Sequence, residues 1–203
     1  MKDLKGNKLY AIERCRNCPN AVVDLERVAE IMQNIFDEVQ FDQRQSARLQ
    51  TDRPLHHQIF RAAIAGCPNS CSQPQIKDFG VQGQMVPAPG AGCSSCGICV
   101  SACPDGCVTL STDGPVIDRD RCLNCGVCIR QCPTGAMGVS GQGCRVLAGG
   151  KLGRRPRLAT VHLELAGNEQ LGECLREMLE MLFQQGSLGE RLGELLERSG
   201  VSS

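Results

Sequence analysis

The residues with chemistry in this chain are its fifteen cysteines, and most of them fall in spaced sets. Cys93, Cys96, Cys99 and Cys103 run up to Pro104, and Cys122, Cys125, Cys128 and Cys132 run up to Pro133. The pattern C-x2-C-x2-C-x3-C-P therefore occurs twice, as CSSCGICVSACP and CLNCGVCIRQCP. Three thiolates two residues apart can wrap three corners of an iron–sulfur cube from one tight loop, and the fourth corner must be reached from elsewhere. Zinc ribbons also use C-x2-C pairs, but a zinc ion takes four ligands and has no need of two tandem runs of four, each closed by proline. Two more pairs stand upstream, Cys15 and Cys18 in CRNCPNA and Cys67 and Cys71 in GCPNSC.

Both runs resemble those of bacterial two-cluster ferredoxins, in which the fourth cysteine of each run ligates the other cluster. The resemblance implies one [4Fe–4S] cluster on Cys93, Cys96, Cys99 and Cys132 and a second on Cys122, Cys125, Cys128 and Cys103. Cys107, in CPDGC, falls where ferredoxins usually carry a small residue and is expected to pack as a small hydrophobe. Cys144 and Cys174, in apolar or helical settings, are expected to be buried inert thiols.

The segment AIAGCPNSCSQPQIKDFGVQG, residues 63–83, resembles the iron–sulfur region of the siroheme-dependent sulfite and nitrite reductases. GGKLGRRPRL, Gly149–Leu158, and the ending SLGERLGELLERSG look like the same family's closing elements, so the likeness covers nearly the whole chain. It implies a ferredoxin inserted into that domain, as in the dissimilatory sulfite reductases, and a third [4Fe–4S] cluster on Cys15, Cys18, Cys67 and Cys71. The chain departs from the family's C-x5-C spacing, because the position six before Cys18 is Ile12. The resemblance makes Cys71 the bridge to a siroheme iron and offers Gly150, Lys151, Arg154 and Arg155 as cofactor contacts. Arg157, with Gly149 and Gly153, belongs to the same loop, for which a solvated basic loop is the equal alternative. Only fourteen residues precede Cys15. The family's additional N-terminal domain, which helps to hold siroheme and substrate, is therefore expected to be missing, and siroheme stays an open option.

Elements must position these cysteines. Val22, Leu25, Ala29, Met32, Phe36 and Val39 recur at helical steps, predicting an amphipathic helix after Pro19 with proline in its first turn. Gln58–Ala65 reads as a strand entering a cysteine loop and Ile76–Val81 as a strand leaving it. VPAPGAG, Val86–Gly92, and GVSGQG, Gly138–Gly143, read as joints. Leu158–Leu165 alternates like a half-buried strand. A helix capped by Asn168 and ended at Gly186 follows, and a last one opens with a box from Ser187 to Glu190, burying Leu188, Leu192, Leu195 and Leu196. His56, His57 and His162 read as surface residues.

Zero tryptophan, one tyrosine and five phenylalanines suit a protein organised around metal, with modest aliphatic cores, rather than around a large aromatic core. Lys+Arg and Asp+Glu are both 22, which argues against nucleic acid. Twelve ligating thiolates and three oxidised cluster cores would leave the loaded protein at roughly −6. No long apolar run or secretory signal is visible, so a cytoplasmic protein away from membranes is expected. No Ser/His/Asp set, Walker loop or dinucleotide fingerprint appears.

The sequence thus predicts an α+β protein with a discontinuous reductase-like domain, 1–86 and 141–203, interrupted by a ferredoxin, 87–140. Its expected work is electron transfer through three [4Fe–4S] clusters toward reduction of sulfite or nitrite. The alternatives are a complete small siroheme enzyme and a non-catalytic docking subunit whose clusters serve folding. A redox partner protein and a homodimer or heteromeric reductase complex are expected.

Overall fold

The computed structural model describes residues 8–16, 18–50 and 54–200, with the side chain of His56 outside the described set. The elements are β1 (Tyr10–Arg14), α1 (Leu25–Glu38), α2 (Phe41–Leu49), β2 (Phe60–Ala65), β3 (Phe79–Pro89), α3 (Ile98–Ala102), β4 (Val108–Ser111), β5 (Gly114–Ile117), α4 (Val127–Arg130), β6 (Met137–Ala148), β7 (Thr160–Ala166), α5 (Asn168–Gln185) and α6 (Leu192–Arg198). One sheet has the order β1-β2-β3-β6-β7, and β4 and β5 make a separate hairpin. The first three strands are parallel, whereas β6 runs antiparallel to both β3 and β7.

β2 reads FRAAIA without clean alternation because it is buried along almost its whole length, as a strand between two parallel neighbours should be. On β3, Phe79 and Val81 enter the main core, where they join Met32 and Phe36 of α1, Leu175 and Leu179 of α5, and Leu195 of α6. The alternate residues Gly80, Gln82 and Gln84 lie on the opposite face. That face is polar: Glu13 receives Arg61 at 2.9 Å and the buried Lys77 at 2.6 Å.

The few aromatic residues gather in one group within a core that is otherwise mainly aliphatic, as composition predicts. Tyr10 stacks on Phe36 at 4.1 Å, and Phe41, Phe60 and Phe183 pack edge-on or tilted within the same group. Phe41 belongs to α2, a helix that the sequence reading missed because its polar run FDQRQSARL has little periodic apolar content.

Several boundaries also differ. α1 begins at Leu25, where the Asp24 side chain accepts the Arg27 N–H at 3.0 Å, so Pro19 lies in a turn upstream. Residues His56–Gln58 and Pro74–Ile76 form short 3-10 turns, so β2 starts at Phe60 and β3 at Phe79, later than predicted. The predicted joints are largely strand: Val86–Pro89 ends β3 and Gly138–Gly143 lies inside β6, where glycine permits close backbone approach. The two strands form one continuous ribbon with a bulge between Val86 and Pro87. Gly167, not Asn168, caps α5, and α6 starts at Leu192 after Arg191, leaving Leu188 66% exposed. Leu158 is likewise exposed, and β7 begins at Thr160.

Candidate metal centre

The two cysteine runs repeat at a constant offset of 29, from 93 to 122, 96 to 125, 99 to 128 and 103 to 132, and they fold alike. Ser95 and Asn124 have φ of 54° and 55°, and Gly97 and Gly126 have φ of 72° and 68°. Each second cysteine thus stands between two left-handed residues, which curl the loop before Gly97 and Gly126 start α3 and α4. The helices carry the third cysteines, Cys99 and Cys128, both buried.

Cys93, Cys96 and Cys99 line a cavity together with Cys132, Leu110 and Pro115. Cys122, Cys125 and Cys128 line another together with Cys103, Pro87 and Val108. The fourth cysteine of each run therefore faces the other run's cavity. Burial pushes the Cys128 thiol up to about 11, with Cys125, Cys122 and Cys103 adding to it. Burial also raises Cys99, followed by Cys93 and Cys96. Cys132 is held down, first by the Met137 N–H, which donates to its sulfur at 3.3 Å, and then by Thr134.

The four upstream cysteines meet at the carboxyl ends of parallel strands. Arg14 pairs in register with Ile64, so β1 and β2 end side by side, Cys15 follows β1 at once, and Cys67 comes two residues after β2. The Cys15 N–H donates to the Ile64 carbonyl at 3.2 Å. Gly66 lets the Cys18 turn cross here, since a Cβ on it would lie 2.6 Å from Ala21 Cβ. Ile12, at the family's usual spacing, is inside β1 and paired with Ala62. In the C-x3-C loop, Ser70 adopts φ 57° and accepts Gln82 Nε2 at 2.5 Å, and Asn69 Nδ2 donates to Cys71 Sγ at 3.1 Å. Burial raises the Cys67 thiol, and Cys18, Cys15 and Cys71 push it the same way, which marks the four as neighbours. A cavity of about 790 Å³ opens beside Cys15 and Cys18, flanked by Arg14 and Arg16. Cys71 is the exposed member of the four.

All three sets offer four thiols and no imidazole or carboxylate, a donor set that suits a [4Fe–4S] cube. Among the described residues, no three Cys, His, Asp or Glu side chains form a site for a single metal ion. Two polar groups close to these cysteines in sequence or along β3 also fit sulfur-rich neighbours: Ser72 Oγ, beside Cys71, and both amide atoms of the wholly buried Gln84 have no partner. Buried orphan donors are rare in folded proteins and point to an acceptor supplied by a bound group. Alternation in GVQGQM, which puts two glutamines on one face of a buried strand, was the sequence signal for Gln82 and Gln84.

The basic loop divides. Lys151 pairs with Glu194 of α6 at 2.5 Å, and Arg157 reaches Glu197 at 2.9 Å and the Gly149 carbonyl. Gly150 is pressed against Gln75, whose carbonyl would lie 2.4 Å from an added Cβ. Arg154 and Arg155 are exposed and have no side-chain partner among the described residues. Of the cysteines set aside, Cys144 is in the core with its thiol pushed by burial to about 11, and Cys174 on α5 is raised to about 11 by burial and Glu177. Cys107 is 2% exposed and lines the Cys103 cavity, and its backbone N–H donates to Cys103 Sγ at 3.2 Å. His57 is exposed as expected. His162 is instead half-buried under α5, which lowers its pKa.

Residues 10–203 match the nitrite and sulphite reductase 4Fe-4S domain. The chain belongs to that family. The coenzyme F420-dependent sulfite reductase of Methanocaldococcus jannaschii is 32% identical over 187 residues, covering 91% of this chain and 28% of that protein. The chain thus spans little more than a quarter of this relative's length. The crystal structure of dissimilatory sulfite reductase I matches 92% of this chain and 49% of its own, with a TM-score of 0.58 and 22% identity. The mixed α+β architecture is accordingly that of the nitrite and sulphite reductase 4Fe-4S domain. Among the described residues no helix is long and apolar enough to cross a membrane.

Proposed function

We propose that this nitrite and sulphite reductase 4Fe-4S domain protein carries electrons through three [4Fe–4S] clusters toward reduction of a small oxyanion, sulfite or nitrite. The observation that carries the reading is the grouping of twelve cysteines into three all-thiol sets, two in cavities that exchange their fourth cysteine. The inserted segment is read as a two-cluster ferredoxin on that exchange and on the matching backbone turns of its two runs. When bound, the clusters supply one-electron redox chemistry. The chain's own residues hold the thiols, exclude water from Cys67, Cys99 and Cys128, and offer N–H donors to Cys71, Cys103 and Cys132. Such donors and such burial set cluster potentials.

A second reading, a complete siroheme reductase, is favoured by one feature: Cys71 is exposed, where an added cofactor or a covering subunit has access to it. Arg154 and Arg155 are cations free to meet carboxylates or an oxyanion. The visible spectrum and iron content of anaerobically purified protein test both readings. Cluster absorption with about twelve irons supports the electron carrier, and added siroheme bands support the enzyme. Clusters that exchange electrons with no donor would leave the docking subunit, and iron near zero would overturn all three.

A further inference from the structure

The two inserted sites are not equivalent in their relation to the rest of the chain. The loop Cys122–Cys128 lies directly on β3: the Met85 N–H donates to the Asn124 carbonyl at 2.7 Å, and Met85 forms an isolated parallel bridge with Cys125. An added Cβ on Gly126 would sit 2.9 Å from Met85 Sδ, and Pro87 lines the cavity that holds Cys103, Cys122, Cys125 and Cys128. Three residues earlier on the same strand, Gln82 holds Ser70 in the loop between Cys67 and Cys71. That separation is about 10 Å at the rise of a strand. Between the two contacts is Gln84, wholly buried with neither amide atom partnered. By contrast, Cys93 and Cys96 are exposed, and their cavity is walled by Leu110 and Pro115 of the β4–β5 hairpin and touches the sheet only at its tip, through Met137 of β6, whose N–H donates to Cys132. Among the described residues, no hydrogen bond joins the Cys93–Cys99 loop to the five-stranded sheet.

We infer that Cys103, Cys122, Cys125 and Cys128 form the inner of the two inserted sites and Cys93, Cys96, Cys99 and Cys132 the outer, and that the β3 segment Gln82–Met85 is the junction to the Cys15, Cys18, Cys67 and Cys71 site. The inference rests on the three-cluster reading above. With clusters bound, a soluble one-electron reductant such as reduced methyl viologen would deliver its electron at the outer site, where Cys93 and Cys96 are exposed. Passing it inward would oxidise the outer site by one electron and reduce the inner by one, and exchange past the β3 residues Gln82–Met85 would do the same between the inner site and the third. No bond is made or broken.

Electron paramagnetic resonance of the full-length, dithionite-reduced holoprotein tests the order. Cys99→Ala removes a ligand of the outer site and should leave the third site's signal broadened by its neighbour, whereas Cys128→Ala should remove that broadening. The reverse pattern, or the same pattern in both variants, overturns the order. Iron analysis of the same samples separates this failure from failure of the underlying reading: wild type should hold about twelve irons and each variant about eight. A wild type with about four irons sinks the three-cluster reading, whereas correct counts with the wrong broadening sink only the order.

Two variants that keep every ligand guard against loss of both inserted clusters on removal of one cysteine. Met85→Glu places a carboxylate at the junction and should lower the potentials of two clusters. Leu110→Glu places one at the outer cavity and should lower one. Equal or reversed effects overturn the proposal.

Discussion

Arg191 closes on Asp78 through Nε at 3.0 Å and Nη2 at 2.8 Å, both on Oδ1, with Asp78 2% exposed. The other carboxylate oxygen accepts the Arg61 N–H at 2.9 Å, and the Asp78 carbonyl accepts the Gly149 N–H at 2.8 Å. One buried acid therefore ties the start of β3 to β2, to the end of β6 and to the residue before α6. Asp78→Ala would leave a partly buried guanidinium unpaired, and a loss on the order of 3 kcal/mol is expected. Urea unfolding of the anaerobic holoprotein measures it. Adding Arg191→Leu should cost less than the sum of the single changes, because the two residues act on one contact.

Cys107, Cys144 and Cys174 lie outside the three sets, although Cys107 borders one. Each changed to Ala should leave about twelve irons per chain, against about eight for Cys67→Ala. Cys107 is the demanding case. Its N–H supports Cys103 whatever its side chain, so replacing the thiol should spare the cluster. A loss of about four irons in Cys107→Ala would redraw the ligand sets.

The ribbon makes a prediction about fragments. Pro89 pairs with Met137, Ala88 with Gly138, and the Gly90 N–H donates to the Ala136 carbonyl. A fragment of residues 91–139 lacks the strand that covers Met137, whereas residues 85–141 keep it. Reconstituted separately, the longer fragment should take up about eight irons and the shorter one fewer. Equal loading would show that the strand is dispensable.

Acid should loosen the α5–α6 side. Arg176 holds Glu38 low, Arg44 holds Glu180, Arg198 holds Glu190 and Lys151 holds Glu194, all below the ordinary value of 4.5. A carboxylate lowered by folding stabilises fully above its unfolded value, and that contribution is lost as pH falls through the lowered folded value. Urea midpoints should therefore hold steady from pH 7 to about 5 and decline below about 4.5. Glu180→Gln and Glu194→Gln should flatten the decline, and no change in slope would remove these pairs from the account.

The spacing of the cysteines was legible because loop wrapping imposes a local rule that sequence displays directly. α5 was legible too, since Leu171, Leu175, Met178, Leu179 and Leu182 mark one face. The ribbon was not, because Gly138, Gly141 and Gly143 carry the local signature of a joint while their pairing with β3 is set by residues fifty or more positions away. α2 escaped for the opposite reason: Phe41 and Leu49 bury its ends while polar residues fill the middle, leaving too little periodicity to detect. The roles of Lys151 and Arg157 depend on α6, forty or more residues on, and a basic loop alone could not distinguish a structural cation from a free one.

The β3–β6 ribbon acts as a gauge. Because residues 90–136 ride on its tip, adding two residues to each strand would carry them outward by about 7 Å while preserving which side chains face which way. Adding one to each strand at its bulge would turn every side chain beyond it to the opposite face, Pro87 included and Met85 not. The bulge between Val86 and Pro87 is the place where the chain already adjusts this phase. On the relay proposed above, insertions there should slow electron exchange by drawing Asn124 away from Met85, with all fifteen thiols unaltered.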